Sequence, residues 1–105
     1  MKDNNINKEL NIAKSAALKA GNLLLENKED LYEVISSTSK DIKLKADILA
    51  EKEIKGIIQN ESDYPILAEE SGFSSKSISN TFWVVDPLDG TANYARNIPI
   101  CCVSI

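Results

Sequence analysis

Residues 82–94 read Phe-Trp-Val-Val-Asp-Pro-Leu-Asp-Gly-Thr-Ala-Asn-Tyr, and the change of chemistry within them decides the fold. Phe82-Trp83-Val84-Val85 is aromatic and β-branched, the composition of a strand packed in a sheet. Pro87 is expected to end that strand, because proline has no N–H to give to a ladder. Gly90 to Ala95 opens a short helix, Pro99 closes that segment, and Ile100 to Ile105 reads as another buried strand. On the upstream side, Ile66-Leu67-Ala68 is a short strand running straight into Glu69-Glu70, and Ser71 to Asn80 is a serine-rich surface connection.

Further from this centre the apolar period lengthens. From Asn5 to Asn27, Ile6, Leu10, Ala13, Ala17, Ala20 and Leu24 recur every three or four residues, which predicts one helical face, with Gly21 allowing another backbone to pack closely. Asn27 to Asp41 is polar, and its Ser36 to Lys40 cluster reads as a flexible loop. A second helix is expected over Lys45 to Gln59, with Ile48, Ile54, Ile57 and Ile58 apolar and Glu51 paired weakly with Lys55 on the wet face. Two helices followed by antiparallel strands make an α+β chain. Residues 1–105 read as one unit without separate domains, and since the sequence stops in an apolar strand, they are expected to be the N-terminal portion of something longer.

Composition narrows the chemistry. With no histidine in 105 residues, this chain alone offers no Ser-His-Asp triad, no phosphohistidine and no His-ligated zinc. In residues 1–60 ten acids balance ten lysines, while residues 61–105 hold six acids against Lys76 and Arg96, so the net charge of −4 lies wholly in the second part. Such a balance argues against nucleic acid, whose phosphates need a basic face. No apolar run approaches the roughly 18 residues of a membrane span and the polar start has no signal-peptide core, so no membrane role and a cytoplasmic location are expected. Cys101 and Cys102 are adjacent and are expected as two reduced core thiols.

The remaining acid–base and metal chemistry belongs to carboxylates at strand ends. One strand delivers Glu69 and Glu70, the other Asp86 and, three residues on, Asp89. If the strands are neighbours their acids converge, and two carboxylates about 4 Å apart repel by ~4 kcal/mol at an effective dielectric near 20, so a cation is called for. Oxygen-only ligands select hard cations, and Mg²⁺ prefers a few carboxylates plus water and phosphate. The Leu88 carbonyl is a further candidate ligand, Gly90 permits close approach, and the Gly90 and Thr91 amides offer an anion site where a helix begins. The Thr91 hydroxyl suits orienting a water. Asp-Pro-Leu-Asp-Gly is equally ordinary turn chemistry, and paired acids at a strand end are usually solvated; it is the two together that point to a site. The spacing does not supply a calcium EF-hand loop, and acids three apart rather than two do not match haloacid-dehalogenase-type phosphatases.

The stretch from Phe82 to Ile105 closely resembles the first signature of the inositol monophosphatase family, W-x-x-D-P-[IL]-D-G-T-x-N-[FY]. Ile66 to Gly72, Ile-Leu-Ala-Glu-Glu-Ser-Gly, resembles its upstream G-E-E-S segment, with Ala68 in place of the usual Gly. Asp41 to Asp47 resembles a diverged D-L-V-T-x-x-D helix start, with Leu44 where the family has Thr. The resemblance implies an αβαβα layered sandwich and a Mg²⁺-dependent, lithium-sensitive phosphomonoesterase, commonly a homodimer, acting on inositol 1-phosphate or a similar small polyol phosphate. Carried over, Glu69, Asp86, Leu88 (through its carbonyl) and Asp89 hold metal, Asp86 bridging two ions. Asp47 and Thr91 activate the attacking water, Gly90 and Thr91 bind the phosphate, and Glu70 supports. Attack by that water on phosphorus is then direct, with no covalent enzyme intermediate. Nucleotidases of 3′-phosphoadenosine 5′-phosphate and fructose-1,6-bisphosphatases share these motifs, and a truncated, non-catalytic relative is the reading from another class. The family's later W-D segment, with a further metal-binding Asp, has no match in these residues, so the isolated 105-residue chain is expected to bind metal weakly and turn over poorly.

Overall fold

The structure, a computed structural model, describes residues 2–26, 34–37, 42–74 and 80–105. Its elements are α1 (Lys2–Glu26), β1 (Val34–Ser37), β2 (Ile42–Leu44), α2 (Lys45–Glu61), β3 (Ile66–Ala68), β4 (Gly72–Phe73), β5 (Trp83–Asp89), α3 (Thr91–Ala95) and β6 (Cys102–Ser104). β1 and β2 form an antiparallel pair, and the other strands form a sheet in the order β4-β3-β5-β6.

That sheet is mixed, not uniformly antiparallel as expected from the sequence. β3 and β5 are parallel, with Ile66 opposite Trp83 and Ala68 opposite Val85, while β4 and β6 run antiparallel to their neighbours. A parallel pair needs a connection of a dozen or more residues, and residues 69–82 supply it, turning back through β4 on the way. The consequence for the site is direct, because parallel neighbours bring their C-terminal ends, and the acids there, to the same edge.

The two long helices pack on each other and on this sheet. The buried face of α1 is Ile12, Ala16, Ala20 and Leu24, an unbroken i, i+4 row. The expected stripe is therefore right at Ala20 and Leu24 but wrong at its start, where Ile6 is 65% and Leu10 49% exposed. Small alanines in the row let α2 come close, which larger residues would prevent. Gly21 has no such part, since a Cβ there would meet nothing within 4 Å. On α2 the matching row is Ala46, Ala50, Ile54 and Ile58, all buried, and Ile48 faces outward. Leu44, Ile66, Val85, Leu88 and Tyr94 complete the same apolar core.

Three more expectations change. Ser36 and Ser37 belong to a strand paired with Lys43 and Ile42 rather than to a loop; the rest of the Ser36 to Lys40 cluster, and Asp41, lie outside the described residues. In the Ser71 to Asn80 connection Gly72 and Phe73 pair with β3, and residues 75–79 lie outside the described residues. Pro87 does not end β5. The strand continues to Asp89 because its register with β6 shifts between Asp86 and Asp89, an irregularity where a residue without an N–H is tolerated.

β6 is shorter and more open than a buried strand, with Ile100 71% exposed and both cysteines free and exposed instead of in the core. It lies at the edge of the sheet, with α1 against it and no further strand paired to it among the described residues. No helix among the described residues is long and apolar enough to cross a membrane.

Candidate active site

Two strand ends and the first turns of α2 build the site. On β5, the Asp86 carboxylate folds over its own turn and accepts the Leu88 N–H at 3.3 Å. Gly90 follows in the left-handed region at φ 91°, where a Cβ would lie 2.8 Å from the Ile100 carbonyl oxygen, so glycine is required by both conformation and space. That conformation starts α3 at Thr91, with no side chain capping its first amides. Tyr94 anchors the segment from the other side, donating its hydroxyl proton to the Leu24 carbonyl near the end of α1 at 2.7 Å.

Thr91 joins the turn to α2. Its hydroxyl oxygen lies 2.9 Å from Asp47 Oδ1 and 3.0 Å from the Leu88 carbonyl oxygen. With one proton to give, the hydroxyl has two acceptors in reach. Asp47, 2% exposed, also accepts the Leu44 N–H at 2.8 Å, the reach-back half of a helix-start cap that Leu44, lacking an oxygen, cannot reciprocate. Burial raises the Asp47 carboxyl above the usual range and the Glu70 charge adds to this, while the bonds from Leu44 and Thr91 oppose it.

On β3, Glu69 keeps the last rung of the parallel ladder, its N–H donating to the Val85 carbonyl at 3.1 Å. Its carboxyl is hydrogen-bonded to Asp86, and that bond, followed by desolvation and by the charges of Asp86, Glu70 and Asp47, pushes Glu69 up to about 7. A cation beside these acids would relieve the repulsion that raises Glu69. Among the described residues no three His, Cys, Asp or Glu side chains form a ready cage. The acids that converge are Glu69 and Asp86, with Asp47 and Glu70 in the same field. Asp89 is exposed, its Oδ2 accepting from Cys102 Sγ at 3.8 Å. Desolvation and Asp89 together raise the Cys102 thiol.

Sequence reasoning missed two side chains. Glu51 is not on a wet face paired with Lys55; it is 5% exposed, and its Oε1 accepts the Glu70 N–H at 2.8 Å. Lys55 instead donates to Ser71 Oγ at 3.0 Å. The available signal was the row Asp47, Glu51, Lys55 at four-residue intervals, which puts all three on one helical face.

The fold thus brings acids from two parallel strand ends, and a threonine bonded to a buried aspartate, to one edge of an α+β chain. The sequence pattern of the inositol monophosphatase family matches residues 5–105. The chain belongs to the inositol monophosphatase family. It is 43% identical over 99 residues to the Nus factor SuhB of Xylella fastidiosa, covering 91% of this chain and 35% of that protein. The crystal structure of the extragenic suppressor protein SuhB of Bartonella henselae matches with a TM-score of 0.78 and 33% identity, over 90% of this chain and 38% of the other. Inositol monophosphatase from Anabaena matches with a TM-score of 0.77 and 36% identity, over 95% of this chain and 34% of the other. The chain thus spans little more than a third of the relatives it matches.

Proposed function

We propose that this chain carries part of the catalytic site of a Mg²⁺-dependent phosphomonoesterase acting on inositol 1-phosphate or a similar small polyol phosphate. The observation that supports it most is the Glu69–Asp86 carboxyl pair at adjacent parallel strand ends, beside the Asp47–Thr91–Leu88 bridge. The donor set suits the ion: all oxygen, mostly carboxylate, and short of positive charge. Glu69, Asp86, the Leu88 carbonyl and Asp89 would hold Mg²⁺, which when bound offsets phosphate charge and lowers the pKa of water.

The residues' own parts follow from their bonds. Asp47 accepts the Thr91 proton, which leaves the Thr91 oxygen free to accept a hydrogen from water and so orient that water's lone pair toward phosphorus. The Gly90 and Thr91 amides donate to the phosphate oxygens, and Glu70 supports the turn that carries Glu69. Attack on phosphorus is direct, and the ester oxygen leaves without a covalent enzyme intermediate. Lithium sensitivity, a cytoplasmic location and a homodimer belong to the same reading.

The test is Mg²⁺-dependent release of phosphate from inositol 1-phosphate, by this chain and by a chimera in which it replaces the matching third of the Anabaena protein. Release by the chimera, lost in Asp89→Asn, is expected; unchanged release in Asp89→Asn would rule the mechanism out. Adding 3′-phosphoadenosine 5′-phosphate and fructose 1,6-bisphosphate to the panel decides between branches of the family. A second reading rests on the name Nus factor carried by the Xylella relative: a role of that kind, independent of catalysis. Complementation of a strain lacking its own protein by the Asp86→Asn variant would favour it.

A further inference from the structure

Among the described residues two carboxylate side chains are buried, Asp47 and Glu51, and the chemistry above uses only the first. Glu51 sits one helical turn beyond Asp47, and Lys55 one turn beyond Glu51, so a single polar row on α2 faces the strand ends. The β3–β5 ladder stops at the bond from the Glu69 N–H to Val85. The next N–H, that of Glu70, is taken by Glu51, and the next side chain, Ser71, by Lys55. A carboxylate withdrawn from water needs such a donor, and a bond from a backbone N–H to a charged oxygen is stronger than a neutral one.

We propose that Glu51 is a positioning residue: its carboxylate takes over where the ladder ends and fixes the Glu69–Glu70 turn so that Glu69 stays against Asp86, with Lys55 steadying Ser71 just beyond. The proposal rests on the reading of Glu69 and Asp86 as cation ligands. Outer partners of this kind set ligand orientation, and their loss costs metal affinity even though they never touch the ion. The two side chains grip different parts of the turn, since Glu51 holds backbone and Lys55 holds a side chain that can move.

Mg²⁺ titration of the chain, followed by the NMR amide shifts of residues 69–71 and 86–91, tests this together with hydrogen exchange at the Glu70 amide. Glu51→Gln keeps an acceptor oxygen and is expected to bind Mg²⁺ within about twofold of the unsubstituted chain. Glu51→Ala is expected to bind about tenfold more weakly and to lose Glu70 amide protection, and Lys55→Met to weaken binding only about threefold. A Glu51→Ala chain that melts earlier but binds Mg²⁺ unchanged would show a purely structural role and overturn the proposal. So would a Glu70 amide that exchanges freely in the unsubstituted chain and in Glu51→Gln, a measurement that decides the matter even if Glu51→Ala does not fold. If the unsubstituted chain ignores Mg²⁺ while its Glu70 amide is protected and Glu51→Ala loses that protection, the clamp stands and the cation reading falls.

Discussion

The end of β5 is held by its own sequence: Asp86 takes the Leu88 N–H, the Thr91 hydroxyl reaches Leu88, and Gly90 supplies the left-handed step between them. The turn after β3 is closed by the β3–β4 pair, with Ala68 opposite Gly72 and Gly72 in the left-handed region, and it is gripped in addition from α2 by Glu51 and Lys55, nineteen and sixteen residues earlier in the chain. The β5 turn can be recognised from a short string even though Thr91 and Tyr94 also tie it to Asp47 and Leu24, whereas the grip of α2 on the β3 turn cannot, so the two halves of the site should fail in different ways.

The largest separation is expected from Gly90→Ala. Positive φ and a Cβ 2.8 Å from a backbone oxygen leave no relaxed solution, and a loss of roughly 3 kcal/mol in urea unfolding is expected, since strain of this type is of order 1–3 kcal/mol before the clash is added. A loss below about 0.5 kcal/mol would mean the turn is looser than its bonds suggest. Next comes Thr91→Val, which keeps the shape but strips the hydroxyl from between Asp47 and Leu88. Leaving a buried carboxylate short of a donor costs about 1–3 kcal/mol, and the same variant should lose phosphate release in the chimera.

A smaller effect distinguishes the halves by pH. Glu69 stands at about 7 in the folded chain against an ordinary value of 4.5. The folded state therefore binds more protons between those values, and without metal the melting temperature should fall as pH rises from 4.5 to 7. Asp47, raised by burial, adds with the same sign. Glu69→Gln should flatten the slope, whereas a melting temperature that climbs over this range would contradict the raised Glu69 carboxyl. Smallest is Lys55→Met: its bond to Ser71 is exposed, so a change of about 0.5 kcal/mol or less is expected in stability.

What is legible in the sequence follows the same division. Asp86 to Tyr94 reads as a strand end, a tight turn and a short helix because each step depends on a neighbour within a few residues. Both helices are visible from their period, but the buried row of α1 is not, because alanines at 13, 16, 17 and 20 make adjacent faces look alike until α2 selects one. The parallel pairing of β3 with β5 depends on how residues 69–82 turn back, which three-residue strands do not encode. Glu51 and Lys55 look like a surface ion pair because four-residue spacing suggests one. Their true partners lie on a strand end that only the fold brings near.

The central claim is that Glu69 and Asp86, delivered by two parallel strands, share one cation. Paramagnetic broadening by Mn²⁺, which reports even weak occupancy, tests it on the chain as it stands. The amides of Glu69, Asp86 and Asp89 to Thr91 should broaden first and together, and Glu69→Gln combined with Asp86→Asn should abolish the effect. Broadening that begins elsewhere, or that survives the double substitution unchanged, would contradict it.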